Sequence, residues 1–528
     1  MKQRLVAFAA AALVIAVFPA FAAAHPDEAG ELYIPWSDYV GQERAQELTR
    51  GAPQAQAPTA GAQDLRLVGN SDKDGTTNSD LAFNGNLVYS GNYGGFRILD
   101  VRGQQPRVVV DHACNGPQND VSFTKLGGKT FLFQSIDSGQ TTEDCTSANA
   151  EVVDGLRVGY EGVRVFDVTN PASPKFIDMI QTACGSHTHT LIPDNSRHRG
   201  GGGSDKAYIY VSSYPLGNGI TPADPPDPPG GADFKACTVP HKKISIIEVS
   251  APKGEFSFRL REQPLAEDTM ATRPRPDGSR PPFVACHDIQ AFLKKDIALG
   301  SCAGESQIWD ISDRWMPGIE QEGNHTHLRR PPDATPVSRE YEFMHSAFFS
   351  WDGKVVATMD EVGGGSEARC FGPHSQDGYY YFYDVVEPGS PEPPLRSRYT
   401  IPRQQGTQEC VSHNANTIPV KGRYLASAAY YQGGVSVVDF TDVDNPREVA
   451  FADVSDATGT SDEWSSFWYN GRIYSNSGLG REDPEGADPT ANRGLDVWKP
   501  VGDLARKTRG AKRWAYSNPQ TQEAWQAP

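Results

Sequence analysis

The chain has 528 residues, a net charge of −17 and 22% charged residues. That acidity excludes nucleic acid as a general partner, since a phosphate backbone needs a basic face. With 52 glycines, 40 prolines and only 38% hydrophobic residues, the composition excludes a long-helix bundle and fits many short strands joined by turns.

Residues 1–24 read as a signal peptide. Lys2 and Arg4 precede an apolar run over 5–18, and Ala22-Ala23-Ala24 offers a small-residue cleavage site. The run is short for a membrane anchor, and no later stretch is apolar enough to span a bilayer. The protein is therefore expected to be secreted or held at the cell surface, with no transmembrane span. Eight cysteines, an even number, fit an oxidising compartment. Residues 25–63 read as an exposed leader, with one short helix over 36–50.

A strand ending in an acid then recurs. It stands as Gly95-Phe96-Arg97-Ile98-Leu99-Asp100, as Gly162-Val163-Arg164-Val165-Phe166-Asp167 and as Gly434-Val435-Ser436-Val437-Val438-Asp439, with looser copies ending at Glu248, Asp310 and Asp384 and a truncated copy at Asp496. Around it lies a unit of four strands. In the first unit, the turn Asn84-Gly85 joins the first two strands; Asp352-Gly353 and Asn470-Gly471 do so in the fifth and seventh. Such pairs between apolar runs are strong hairpin signals. Unit starts fall near Asp80, Asp120, His187, His287, His345, His413 and Glu463, with insertions at 222–229, 262–282 and 323–336.

The fold predicted is all-β: a seven-bladed β-propeller of four-stranded antiparallel blades over 64–500. A linear solenoid is the alternative. The seventh unit lacks a clear fourth strand, and Asp64-Leu65-Arg66-Leu67-Val68-Gly69 resembles one, so an N-terminal strand is expected to close the ring and hide its edges. The acid-ending strand becomes the third of each blade, its Asp tying down the following turn. The C-terminal tail, 501–528, is expected to lie as a strap along the propeller surface.

This strand, followed by Thr-Asn-Pro after Asp167 or Thr-Asp after Asp439, resembles the LVIVD repeat of exported bacterial and archaeal propeller proteins, over most of the mature chain. The resemblance implies the fold. It does not imply an activity, since propellers host unrelated functions.

Candidate chemistry gathers at the start of each first strand, which in a propeller lines the central channel. His187, His189, His287, His345 and His413 stand there, five of the chain's 12 histidines, with Asp80, Asp120 and Glu463 as channel acids. His187 and His189 share a strand face. Imidazole with a carboxylate suits a transition metal, copper, zinc or iron rather than calcium; the alternative is a water-filled polar channel. Asp360-Glu361 lies in a loop on the same face, as a catalytic acid pair, an extra ligand or merely a solvated acidic loop. His325 and His327 read as surface residues with modest metal potential.

The cysteines sit on that face too. Pairing sequence neighbours gives Cys114–Cys145, Cys184–Cys237, Cys286–Cys302 and Cys370–Cys410; mixed thiolate–histidine ligation is the alternative at Cys184 and Cys286. More distantly, the chain is similar at fold level to selenium-binding and methanethiol oxidase propellers, a family that uses channel histidines for copper; its motifs do not match residue by residue. Three functions follow: a metal-dependent oxidoreductase, with Asp360 or Glu361 as proton acceptor; a non-catalytic adhesion module anchored by Tyr93, Tyr214, Tyr430 and Tyr431; or a metal-free hydrolase or lactonase. Expected partners are a small molecule or a cell-surface ligand on a monomeric chain.

Overall fold

The computed structural model describes residues 61–522 except 74, 151, 154–155, 158, 195–204, 215–236, 238–240, 271–283, 322, 330–342, 362–377, 404–409, 457–458 and 478–492. The expected signal peptide, the expected leader to residue 60 and Cys370 lie outside the described residues.

The chain is all-β in plan, built of four- and five-stranded sheets and one nine-stranded sheet. In the first unit, strands Asn78–Asn84, Leu87–Asn92, Gly95–Asp100 and Arg107–Ala113 pair in sequence, all antiparallel. The first three are almost wholly buried, whereas Arg107–Ala113 is exposed or half-buried, so this unit turns its last strand to solvent. Further sheets run from Gln118–Leu126 to Lys175–Gln181, from Thr188–Pro193 to Ser257–Pro264, from Ile289–Phe292 to His325–Leu328 and from Met344–Phe349 to Leu395–Tyr399. The nine-stranded sheet joins the last two units, whose first strands Asn414–Ile418 and Glu463–Tyr469 pair in parallel.

The first strands contact one another in a closed cycle, from Asn78–Asn84 through Gln118–Leu126 and onward to Glu463–Tyr469, which returns to Asn78–Asn84. Such a cycle encloses a channel, consistent with a propeller. The expected closure is present: Leu65–Ser71 pairs antiparallel with Gly494–Pro500 as the outer strand of the last unit. Gly61–Gln63 pairs with Arg447–Asp453 of the preceding unit, so strand structure begins slightly before the expected end of the leader.

Local chemistry explains the recurrent acid. Asp100, Asp167, Asp310 and Asp439 each accept a hydrogen bond from the backbone N–H two residues on, at 3.0, 3.0, 2.7 and 3.1 Å. These are Asx turns that end the third strand and redirect the chain. Among the hairpins, Asn470 and Gly471 both take positive φ (49° and 90°), whereas in the first and fifth units only Gly85 (64°) and Gly353 (68°) do.

The described part of the tail lies along the face where the first strands end. Tyr516–Ser517 pairs with the end of Asn78–Asn84, and Thr521–Gln522 pairs in parallel with Ile289–Phe292. Between them Asn518 donates to the Phe123 carbonyl at 2.9 Å and accepts from the Phe123 N–H at 3.0 Å. Gln520 Nε2 donates to Asp80 Oδ2 at 3.1 Å and to Asp120 Oδ1 at 3.4 Å, and Gln522 Nε2 donates to the Ser350 carbonyl at 3.1 Å. The tail thus crosses the channel at the C-terminal ends of the first strands. Side-chain amides suit this task, because they supply donors to buried carboxylates and strand carbonyls that would otherwise be costly. Gln520→Ala is expected to destabilise the fold by about 1–3 kcal/mol, the cost of stripping a donor from buried acceptors. An unchanged denaturation midpoint would contradict the plug.

Candidate metal centre

Sequence register brings four histidines to one end of the channel. His187, His287 and His413 lie just before a first strand, and His345 is the second residue of Met344–Phe349. The N–H groups of His187, His287 and His413 donate to Ser212, Ser301 and Ala429 carbonyls at 3.1, 2.7 and 2.9 Å, extending each ladder by one rung. The rings form a buried arc with centroid spacings of 4.4 Å (His187–His287), 3.8 Å (His287–His345) and 4.2 Å (His345–His413).

Glu361 joins this arc. Its Oε2 lies 3.4 Å from His345 Nε2 and its Oε1 lies 3.4 Å from His413 Nε2. The Glu361 N–H donates to the Phe343 carbonyl at 3.0 Å, and the Tyr431 hydroxyl donates to Oε1. His413 Nδ1 donates to the Trp464 carbonyl, which leaves the Nε2 lone pair facing inward. On the other side, Asp288 Oδ1 lies 3.3 Å from His287 Nδ1. Two triads result, His345–Glu361–His413 and His287–Asp288–His345, each with ligating atoms within 4.8 Å of one another and every residue buried. Neutral imidazoles with carboxylates are a donor set that can hold copper, zinc or iron.

The expected ligands divide. His187 ends the arc with both ring nitrogens engaged: Nδ1 lies 2.8 Å from Asp137 Oδ2, while Nε2 lies 3.1 Å from the Tyr214 hydroxyl and 3.3 Å from Gln118 Nε2. The carboxylate fixes the proton on Nδ1, so Tyr214 donates to Nε2. His189 belongs to neither triad; Ser135 and Ser122 lie 2.8 and 2.6 Å from its Nδ1 and Nε2. Asp360 is separated from its neighbour and accepts from the Phe343 N–H at 2.9 Å, a positioning contact.

The acids divide as well. Asp80 and Asp120 sit at the tail's end of the channel, where Asn414 donates to Asp80 at 2.9 and 3.1 Å and the His189 N–H donates to Asp120 at 2.8 Å. Burial raises both pKa values; the Asp120 charge raises Asp80 further, and His189 opposes the rise of Asp120. Glu463 is not with them: its neighbours are Asp496, Arg493 and Asp462, and burial and then Asp496 push its pKa up. Sequence reasoning passed over Asp288, although it directly follows a candidate ligand, and over Gln520, which carries no motif.

Three disulfides pair as expected, Cys114–Cys145, Cys184–Cys237 and Cys286–Cys302, and Cys410 is also disulfide-bonded. Thiolate ligation at Cys184 and Cys286 is thereby removed, and the bridges point to an oxidising, extracytoplasmic setting. Among the described residues no helix is long and apolar enough to cross a membrane. The tyrosines do not form an exposed anchor patch: Tyr214, Tyr430 and Tyr431 are buried, and Tyr430 packs on Tyr380 and Tyr399 in the core. A cavity of about 30 Å³ lies at the tail end, beside Asn416, Trp514 and Asn518, room for a water rather than a substrate.

These features define an all-β protein with propeller-like sheets, disulfides and buried His/Asp/Glu triads. No family model matches the chain, and no curated protein matches it. Among solved structures it is similar to Chaetomium thermophilum Raptor (9% identity, TM-score 0.44, covering 84% of this chain and 29% of that one). It is also similar to a hypothetical selenium-binding protein from Sulfolobus tokodaii (14% identity, TM-score 0.35, covering 58% and 63%). The chain thus spans under a third of the first and under two thirds of the second.

Two outcomes follow from this geometry. Cys286–Cys302 closes a loop of sequence separation 16 directly beside His287. Replacing both cysteines by serine is expected to cost about 2–4 kcal/mol in denaturant unfolding; no loss would show that the bridge constrains little. The second concerns pH. A carboxyl with a raised folded pKa stabilises the fold below its unfolded pKa, and that contribution is lost as pH rises through the folded pKa. Wild type therefore loses the Asp80 contribution above the ordinary carboxylate range, and Asp80→Asn does not. The stability of wild type relative to Asp80→Asn should fall as pH rises from acidic to neutral; a rise would reverse the assignment.

Proposed function

We propose that this chain is an exported, monomeric seven-bladed propeller of LVIVD type that holds copper or iron at the channel mouth and acts as an oxidoreductase on a small molecule. The observation that carries the reading is Glu361, equidistant at 3.4 Å from His345 Nε2 and His413 Nε2, with the His287 ring packed on His345. His287, His345, His413 and Glu361 would hold the metal, with Asp288 as a further carboxylate beside His287.

A bound copper or iron ion supplies one-electron chemistry to such a substrate. The chain's own residues do the rest. The Tyr431 hydroxyl and the Trp464 carbonyl fix Glu361 and His413 in orientation. Asp137 orients His187, whose Nε2 can take the Tyr214 hydroxyl proton. Phe343, Tyr431 and Trp464 pack around the histidines and keep water out. In this reading Glu361 is a ligand rather than the proton acceptor.

Metal analysis of the mature protein, purified without a histidine tag, tests the reading. His345→Ala with His413→Ala should lose about one equivalent of copper or iron relative to wild type, and Glu361→Gln should weaken binding at least about tenfold. Unchanged occupancy in the double variant would overturn the ligand set. Oxidation of small-molecule substrates should stop on chelation and return with metal. Ester or lactone hydrolysis by chelator-treated protein would favour the hydrolase instead.

A further inference from the structure

We propose a second metal site, for zinc, formed by Asp268, His325 and His327 on the outer side of the chain and independent of the channel centre. His325 and His327 lie two apart on His325–Leu328, the outermost strand of its sheet, so they share a face. Asp268 comes from the segment that follows Ser257–Pro264, the last strand of the preceding sheet. The three ligating atoms lie within 4.8 Å of one another. His325 Nε2 is 3.2 Å from His327 Nε2, and the Asp268 carboxylate is 3.1 Å from His327 Nε2 and 3.9 Å from His325 Nε2.

The remaining ring nitrogens determine what these atoms can do. His325 Nδ1 lies 3.2 Å from the Gln321 carbonyl, which can only accept, so that nitrogen carries the proton. His327 Nδ1 lies 3.0 Å from both oxygens of fully buried Glu305, which hold that edge of the ring and turn Nε2 toward His325 and Asp268. Both Nε2 atoms face one spot, and the Asp268 carboxylate faces it too. A zinc ion there would take both imidazole nitrogens and the carboxylate as ligands. The carbonyl and carboxylate behind the rings are the partners that orient metal-ligating histidines elsewhere.

The surrounding charge agrees. Arg329 is the cation at the cluster: its Nε donates to Glu305 at 2.5 Å, and an NH2 group lies 3.5 Å from Asp268 and 3.0 Å from His327 Nδ1. Against it stand Asp268, Glu305 and Glu392, the last accepting from the Arg329 N–H. Among the described residues, three carboxylates and one guanidinium leave two negative charges, which a divalent ion would neutralise. Two imidazoles and one carboxylate suit zinc, with the fourth position open to solvent on the side of Asp268, which is 63% exposed. The ion would tie the segment after Ser257–Pro264 to the outer strand of the next sheet.

Zinc titration of chelator-stripped full-length protein, followed by equilibrium dialysis and elemental analysis, tests the site. Compared with wild type, His325→Ala with His327→Ala should lose one equivalent. Asp268→Ala, an exposed substitution that leaves the sheets intact, should weaken that equivalent at least about tenfold, and Glu305→Gln by about 10–100-fold. His345→Ala with His413→Ala should retain it. Unchanged stoichiometry and affinity in both the double histidine variant and Asp268→Ala would overturn the proposal. If wild type binds a single equivalent, its loss in His345→Ala/His413→Ala overturns the outer site and spares the channel centre. Loss of that single equivalent in His325→Ala/His327→Ala supports the outer site and counts against the channel centre.

Discussion

The carboxylate of Glu361 held between two buried imidazoles, 3.4 Å from each, is the contact on which the account of this protein rests. It depends on ring closure. His345, His413 and Glu361 come from different strands or loops, and they meet because the first strands contact one another in a closed cycle. The pairing of Leu65–Ser71 with Gly494–Pro500 locks that cycle with both ends of the repeat array in one sheet. The disulfide at Cys286, next to His287, constrains the backbone beside the arc.

The channel is layered by chemistry. At the mouth, imidazoles and Glu361 share a space enclosed by aromatic rings. Below, Asp80 and Asp120 are buried at the tail's end, and Asp288 lies between them and the arc, beside His287. Burial raises all three, with mutual repulsion adding to the effect at Asp80 and Asp288. Gln520 and Asn414 supply the donors that this lower layer needs. The tail therefore does more than end the chain. It donates to Asp80 and Asp120 and covers the end of the channel away from the histidines.

Much of this was legible in the sequence, for a physical reason. A strand has a side-chain period of two, and an Asp that forms an Asx turn marks its end, so the recurrent motif gave a dependable register. That register located four histidines at equivalent positions and paired three disulfides. It did not give their roles. His187 and His189 share a strand but diverge in partner, because Asp137, Ser135 and Ser122 belong to the neighbouring unit and no local pattern announces them. Asp360 and Glu361 read as one acidic pair, yet strand alternation sends one to a backbone amide and the other to the imidazoles. The tail's amides carry no periodicity, and Asp268 sits inside an insertion, so neither contact could be read before the sheets were assembled.

Glu361, His345 and His413 would form the shell of a metal at the channel mouth. X-ray absorption at the metal edge, on copper-loaded protein carrying His325→Ala and His327→Ala to silence the outer cluster, measures that shell directly. The expected spectrum shows imidazole nitrogens together with carboxylate oxygen, and loses the imidazole signal in the same protein with His345→Ala and His413→Ala. A shell of water oxygens alone, or an imidazole signal unchanged by those two substitutions, would contradict it.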